Sequence, residues 1–242
     1  SFPRDHWAHR ALRNEWWYFT GQLASRGEPQ RRFAYQFVIF RIGLYPGAAG
    51  FDSEWDGANV LMSHAAITDI DAAEHRFSEV LYREVPFLAQ FNAYPEPVIA
   101  WSLAPVGTGG RWKLVRKGEG FAFEMVDRGQ SIAFELSTEP SRTRVFQGPG
   151  GFSRKSDEPG AASMYYSYSR MHTHGTLRID DQSLQVDGVS WMDREFSSNQ
   201  LTEEQVALFS VNQHRFPGVE VKAYLKRHYP YGEALTHVLG YV

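Results

Sequence analysis

The sequence predicts an all-β protein of antiparallel strands, and three observations carry that expectation. Short runs rich in aromatic and β-branched residues alternate with Gly, Pro, Asn and Asp turn signals along most of the chain. No segment sustains helical periodicity over about 11 residues. The one departure from average composition is aromatic, 15% of 242 residues, with 7 Trp, 12 Tyr and 17 Phe.

Eight candidate strands come first, at residues 14–23, 31–41, 59–69, 76–82, 99–103, 111–115, 121–127 and 131–137. The last two are separated by Arg128, Gly129 and Gln130, a short connection that reads as a hairpin. Eight sequential strands with short turns suit an up-and-down barrel, which closes its own edges and can hold one small ligand. The stretch from Phe146 to Gly151 is rich in Gly and followed by mixed charge without periodicity, so a domain boundary is expected there, with residues 1–148 before it and 149–242 after it. Six further candidates follow, at 164–170, 175–180, 183–196, 206–213, 219–226 and 234–241, with Asp180-Asp181-Gln182 as a hairpin turn between the second and third. Six strands in so short a span make a sheet more readily than a second complete barrel, so the second domain reads as shortened.

Composition narrows the function. Twenty-five basic against 28 acidic residues give a net charge of -3 with no long basic run, which argues against nucleic acid as a partner. The absence of cysteine excludes disulfides, cysteine nucleophiles and thiolate metal sites, and fits a periplasmic or a cytoplasmic address. The longest nearly apolar run, residues 33–40, is far below the roughly 20 residues of a membrane-spanning helix. The chain opens at Ser1 without a charged-then-apolar leader, so a leader or tag is expected to have been removed. No GxSxG, P-loop or HExxH motif occurs, and Gly148 to Gly151 lacks a strand–turn–helix context, so no nucleotide or flavin cofactor is expected.

Candidate chemistry concentrates in two strands. In residues 14–21, alternation sends Glu15, Trp17 and Phe19 to one face and Trp16 and Tyr18 to the other, so both faces need cover. Burial raises the pKa of Glu15 unless a cation stands near. The two readings are a perturbed acid at a site and a structural ion pair with an N-terminal arginine such as Arg13. In residues 190–196, Trp191, Asp193 and Glu195 share one face and Met192, Arg194 and Phe196 the other. Carboxylates two residues apart on a strand have Cα atoms about 6.6–6.8 Å apart, so converging side chains let one keep a proton near neutrality, as general acid catalysis requires. The alternative is an ion-pair ladder closing one end of a barrel.

His64, among small and apolar neighbours, reads as a pocket base or as a satisfied core histidine. His172 and His174 share a strand face at a spacing that can share a metal, but no third ligand follows, and no metal site is expected.

Residues 14–21 (NEWWYFTG), 63–69 (SHAAITD), 165–167 (YYS) and 188–196 (GVSWMDREF) resemble the family of AttH-like proteins and carotenoid 1,2-hydratases, also called hydroxyneurosporene synthases. The resemblance spans most of residues 1–201 and weakens after Leu201, where residues 202–242 join segments abruptly. It implies two lipocalin-like (calycin) antiparallel β-barrel domains, the second shortened here. It also implies a periplasmic or secreted protein, an apolar lipid or isoprenoid ligand and no cofactor. Some members hydrate a carotenoid double bond, others read as secreted hydrolases or as companions of an ABC transport system at the membrane.

For a hydratase, the chemistry needs an acid in a dry pocket, aromatic faces for the resulting cation, and an oriented water. Asp193 is the expected proton donor with Glu195 beside it, Trp191 and Trp17 stabilise the cation, and Tyr166 or His64 orients the water. Glu15, Tyr18 and Arg194 complete the expected ligand contacts. The competing expectation is a lipocalin-type carrier with no catalytic group, and a hydrolase is a third reading that no nucleophile motif supports.

Overall fold

The structure is a computed structural model that describes residues 1–27, 29–44, 57–155 and 162–197. The chain divides between Thr202 and Glu203 into two units, and all described residues belong to the first. After a 3-10 turn at Arg4–His6 come β1 (Asn14–Ser25), β2 (Arg32–Gly43), β3 (Asn59–Asp69) and β4 (Glu74–Arg83). There follow β5 (Ala89–Phe91), β6 (Val98–Leu103), β7 (Arg111–Lys117), β8 (Gly120–Asp127) and β9 (Ile132–Pro140). The short β10 (Val145–Phe146) and β11 (Phe152–Arg154) flank a second 3-10 turn, and the long β12 (Ala162–Ile179) and β13 (Gln182–Ser197) form the last hairpin described.

The class is all-β, as the alternating pattern requires, and each of the first eight expected strands is present. The pairing differs from a simple meander. The sheet runs β4-β3-β2-β1-β13-β12-β9-β8-β7-β6-β5, with β10 and β11 on the edge of β12. The β12–β13 hairpin is thus inserted between β1 and β9, and an eight-stranded barrel within residues 1–148 is not what closes. The expected boundary at 148/149 runs through one sheet. The reason is pairing area: β1 pairs with β13 along its whole length, from Asn14 opposite Ser197 to Ser25 opposite Val186. The candidates at 164–170 and 175–180 are one continuous strand, and those at 206–213, 219–226 and 234–241 lie outside the described residues.

The sheet curls into a nearly closed antiparallel barrel. Its two edge strands, β4 and β5, follow each other through a tight connection with a bridge between Val85 and Ala89. Side chains from β4 cross the seam: Tyr82 donates its hydroxyl to the Ala104 carbonyl (2.8 Å), Ser78 to Asp127 (2.5 Å), and Arg76 to Asp180 (2.7 Å). The interior is filled by aromatic side chains rather than left open. Phe37 and Phe123 stack at 5.0 Å, with Trp112 and Phe134 packed around Phe37 at 6.2 and 5.9 Å. All four are buried in a single core cluster. The aromatic excess therefore builds the core.

β12 carries the feature that positions the site. From the hairpin turn, Ile179 faces Gln182 and the pairing continues in step to Met171 opposite Ser190, then shifts so that Tyr168 faces Met192. One extra residue on β12 reverses which of its side chains face inward beyond that point.

Candidate functional site

The nine expected site residues are divided between the two faces of the sheet. Glu15, Trp17, Tyr166 and Arg194 point into the barrel, while Tyr18, His64, Trp191, Asp193 and Glu195 lie on its outer face. The alternation read from residues 14–21 and 190–196 is correct for each strand. A single constellation of Asp193 with Trp17 and Tyr166 is not formed, because those groups stand on opposite sides of one sheet.

Inside, Glu15 is buried and forms ion pairs with both Arg41 and Arg194. It also accepts the His9 backbone N–H (2.9 Å) and lies 3.2 Å from His9 Nδ1. Burial pushes its carboxyl up, but Arg194, His9 and Arg41 together outweigh this and hold it well below the usual carboxylate range. The ion-pair reading of Glu15 thus finds its cations in the paired strands β2 and β13. Arg41 donates onward to Asn59 (2.6 Å) and the His9 carbonyl (2.8 Å), and the Arg194 guanidinium lies 3.8 Å over the Trp17 ring. Trp17 donates its indole N–H to the His6 carbonyl (2.7 Å), and His6 Nδ1 is 2.6 Å from the Tyr166 hydroxyl. These bonds hold the N-terminal segment across the barrel end.

Outside, β12 and β13 assemble a polar cluster. Asp193, 8% exposed, accepts hydrogen bonds on one oxygen from Ser167 (2.6 Å) and the Trp191 indole (2.6 Å). Glu195, 3% exposed, accepts from Ser163 (2.5 Å) and pairs with Lys155 (2.6 Å). The Tyr165 hydroxyl is pushed up by burial and by the two carboxylates, so it stays protonated as a donor. Gln147 donates to Ser167 (3.0 Å), which ties β10 to the same cluster.

Sequence reasoning did not single out Tyr165, Ser163, Ser167, Lys155 or Gln147. The YYS motif held the signal for Tyr165 and Ser167, but the turn at Asp180-Asp181 alone sets Tyr166 opposite Glu195. The bulge in β12 puts Tyr165 there instead, and turns Tyr166 inward.

Tyr18 stands directly opposite Asp193 across the β1–β13 ladder. His64 is three strands away from Asp193, about 14–15 Å at ordinary strand spacing, so the two do not meet. His64 belongs to an aromatic run over the outer face, Trp16–Phe40–His64–Phe77, with successive centroids 6.3, 5.7 and 5.5 Å apart. Burial pushes the His64 imidazole down against the opposing pull of Glu79, 3.8 Å away. His172 and His174 lie side by side on the outer face with ring centroids 5.8 Å apart, and among the described residues no group of three or more His, Asp or Glu converges on one point. A cleft of about 290 Å³ lined by Phe134, Glu135, Thr176, Arg178 and Ser183 touches none of the expected site residues. Among the described residues no helix is long and apolar enough to cross a membrane.

A nearly closed antiparallel barrel with this interior packing is a calycin-type, lipocalin-like fold. The chain belongs to the AttH-like family, whose model matches residues 1–212. A crystal structure assigned to AttH from Nitrosomonas europaea is 25% identical, with a TM-score of 0.66 over 84% of this chain and 57% of that chain. Kievitone hydratase from Nectria haematococca, 10% identical, overlays with a TM-score of 0.48 over 83% of this chain and 52% of that one. This chain thus spans little more than half the length of either solved protein. A stretch of 42 residues, 17% of this chain, is 76% identical to the peptidoglycan D,D-transpeptidase MrdA of Escherichia coli K12 and covers 7% of that protein.

Proposed function

We propose that this AttH-like protein binds an apolar, lipid- or isoprenoid-like molecule against the outer face of β1, β2, β3 and β13. There it hydrates a carbon–carbon double bond without a cofactor, with Asp193 as the proton donor. The observation that carries this reading is the setting of Asp193: a nearly buried carboxyl beside Trp191 and Tyr18, bordering an aromatic run that spans four strands. Asp193 gives its proton to one alkene carbon, water adds to the other, and the proton that water releases returns to the carboxylate. The aromatic faces of Trp191 and Tyr18 stabilise the intermediate cation. Tyr165, held protonated, orients the incoming water in place of the expected Tyr166 or His64. Packing of the barrel interior favours this outer face over the interior as the ligand's location. A periplasmic or secreted address, beside a membrane or an ABC transporter that handles apolar cargo, is part of the same proposal and rests on the family resemblance.

A second reading, a non-catalytic carrier, is favoured by one observation. Both carboxylates are held by structural partners, Ser167 and Trp191 on Asp193 and Ser163 and Lys155 on Glu195, an arrangement that suits a binding surface better than a proton donor.

Native mass spectrometry after purification from an isoprenoid-producing host, with extraction of what co-purifies, tests binding. Asp193→Asn then separates the two readings: the hydratase loses hydration of an added acyclic isoprenoid and keeps binding it. Unchanged hydration sinks the acid role. Failure to retain any apolar compound supplied in excess sinks the binding reading as well.

A further inference from the structure

We infer that the ledge made by β10, β11 and the first residues of β12 is a docking surface for a bilayer of anionic lipid. Large apolar side chains gather there in the open: Val145, Phe146, Phe152 and Met164 are 45%, 46%, 54% and 39% exposed. Phe146, Phe152 and Met164 are contiguous, while Val145 stands on the other face of β10, opposite Ser167. Phe152 stands opposite Met164 in the ladder, and the side chains of Phe146 and Met164 both close on Gly151, where an added Cβ would sit 3.1 and 3.4 Å from them. Phe2 extends the patch, 6.0 Å from Phe146.

The charge on the same segment has one sign. Residues 141–155 contain Arg142, Arg144 and Arg154, with Lys155 paired to Glu195, and no Asp or Glu, within a chain of net charge -3. Arg144 lies 3.6 Å over the Phe2 ring, so a guanidinium is packed on the apolar patch itself, and Arg142 is exposed beside it. Exposed aromatics framed by cations match a lipid–water boundary, where apolar groups enter the acyl margin and cations meet anionic headgroups. The ledge also borders the outer carboxylates, through Gln147 on Ser167 and Lys155 on Glu195, so it adds an uptake surface to the ligand reading proposed above; the inference itself rests on the ledge alone.

The test is co-sedimentation of the full chain with phosphatidylcholine vesicles and with vesicles of phosphatidylcholine mixed with phosphatidylglycerol. Binding to the anionic vesicles is expected to exceed that to the neutral ones by about tenfold and to fall with added salt. Phe146→Ser with Phe152→Ser weakens it by about tenfold or more. Both residues are exposed, and Arg142→Glu, which leaves the apolar patch intact, provides a second variant with the same direction of effect. Asp193→Asn leaves vesicle binding unchanged, so loss of the ligand reading and loss of this one are told apart. Equal binding to both vesicle types, or anionic binding that survives these variants, overturns the inference. So does a concentration-dependent dimer, seen by light scattering, that Phe146→Ser and Phe152→Ser abolish without any vesicle binding.

Discussion

Arg194 and Glu15, separated by 179 positions in the chain, form a buried ion pair where β13 lies against β1, with the guanidinium stacked over Trp17. Arg41 joins from the other side of β1, so a single carboxylate holds two guanidinium groups and, through His9, the N-terminal segment. The network joins the N-terminal segment to β1, β2 and the last described strand.

Replacing Glu15 with Gln leaves two buried guanidinium groups without their counter-charge. Removing one member of such a buried pair costs about 3–5 kcal/mol. Urea unfolding followed by tryptophan fluorescence is expected to show a loss of this size; a change under about 1 kcal/mol would show that water compensates and that the network is dispensable.

His6 gives stability a pH dependence. Burial, with Arg116, Arg144 and Arg194 nearby, pushes its imidazole from 6.5 down to about 2, so the folded protein keeps it neutral where the unfolded chain protonates it. The unfolded state therefore binds the extra proton below pH 6.5. Stability is full above that value and falls by about 1.4 kcal/mol per pH unit below it, toward the folded value. Glu15 adds a further loss below its ordinary 4.5, because its folded value is depressed. Urea midpoints between pH 8 and 5 should decline, and His6→Asn, which cannot titrate, should flatten that decline. An identical slope in the variant would assign it to other groups.

Phe37 is stacked on Phe123 and wedged against Trp112 and Phe134 at the centre of the core. Phe37→Ala removes a fully buried ring and leaves a cavity, at a cost of about 3–5 kcal/mol. Thermal or urea unfolding measures it. A cost under about 1 kcal/mol would mean that the barrel collapses onto the space and that its interior is less rigidly packed than these contacts require.

Tyr165 and Tyr166 are neighbours with opposite duties. Tyr166→Phe removes the buried hydrogen bond to His6 and is expected to cost about 1–2 kcal/mol of stability with turnover intact. Tyr165→Phe is expected to change stability by less than about 1 kcal/mol and to lower hydration at the Asp193 face. Paired measurements of urea midpoint and hydration rate on the two variants check this. The reverse pattern would put the reacting face inside the barrel.

The β class, the positions of the first eight strands and the two faces of β1 and β13 were legible because each depends on local pattern alone. Alternation sorts Glu15 from Tyr18 and Asp193 from Arg194 whatever those strands pair with. Motif content likewise marked residues 14–21 and 188–196, and both lie at the centre of the sheet.

What the sequence by itself determined is which side chains travel together on each strand. Only the tertiary structure decided which strands meet and in what register. β1 chose β13, 160 and more residues away, over β9, so the supposed start of a second domain became the middle of the first sheet. A single extra residue in β12 turned Tyr166 inward and Tyr165 out to the carboxylates. Both outcomes depend on the sum of many long-range pairings, and no window of the sequence contains that sum; one position of register is enough to exchange the faces of a strand.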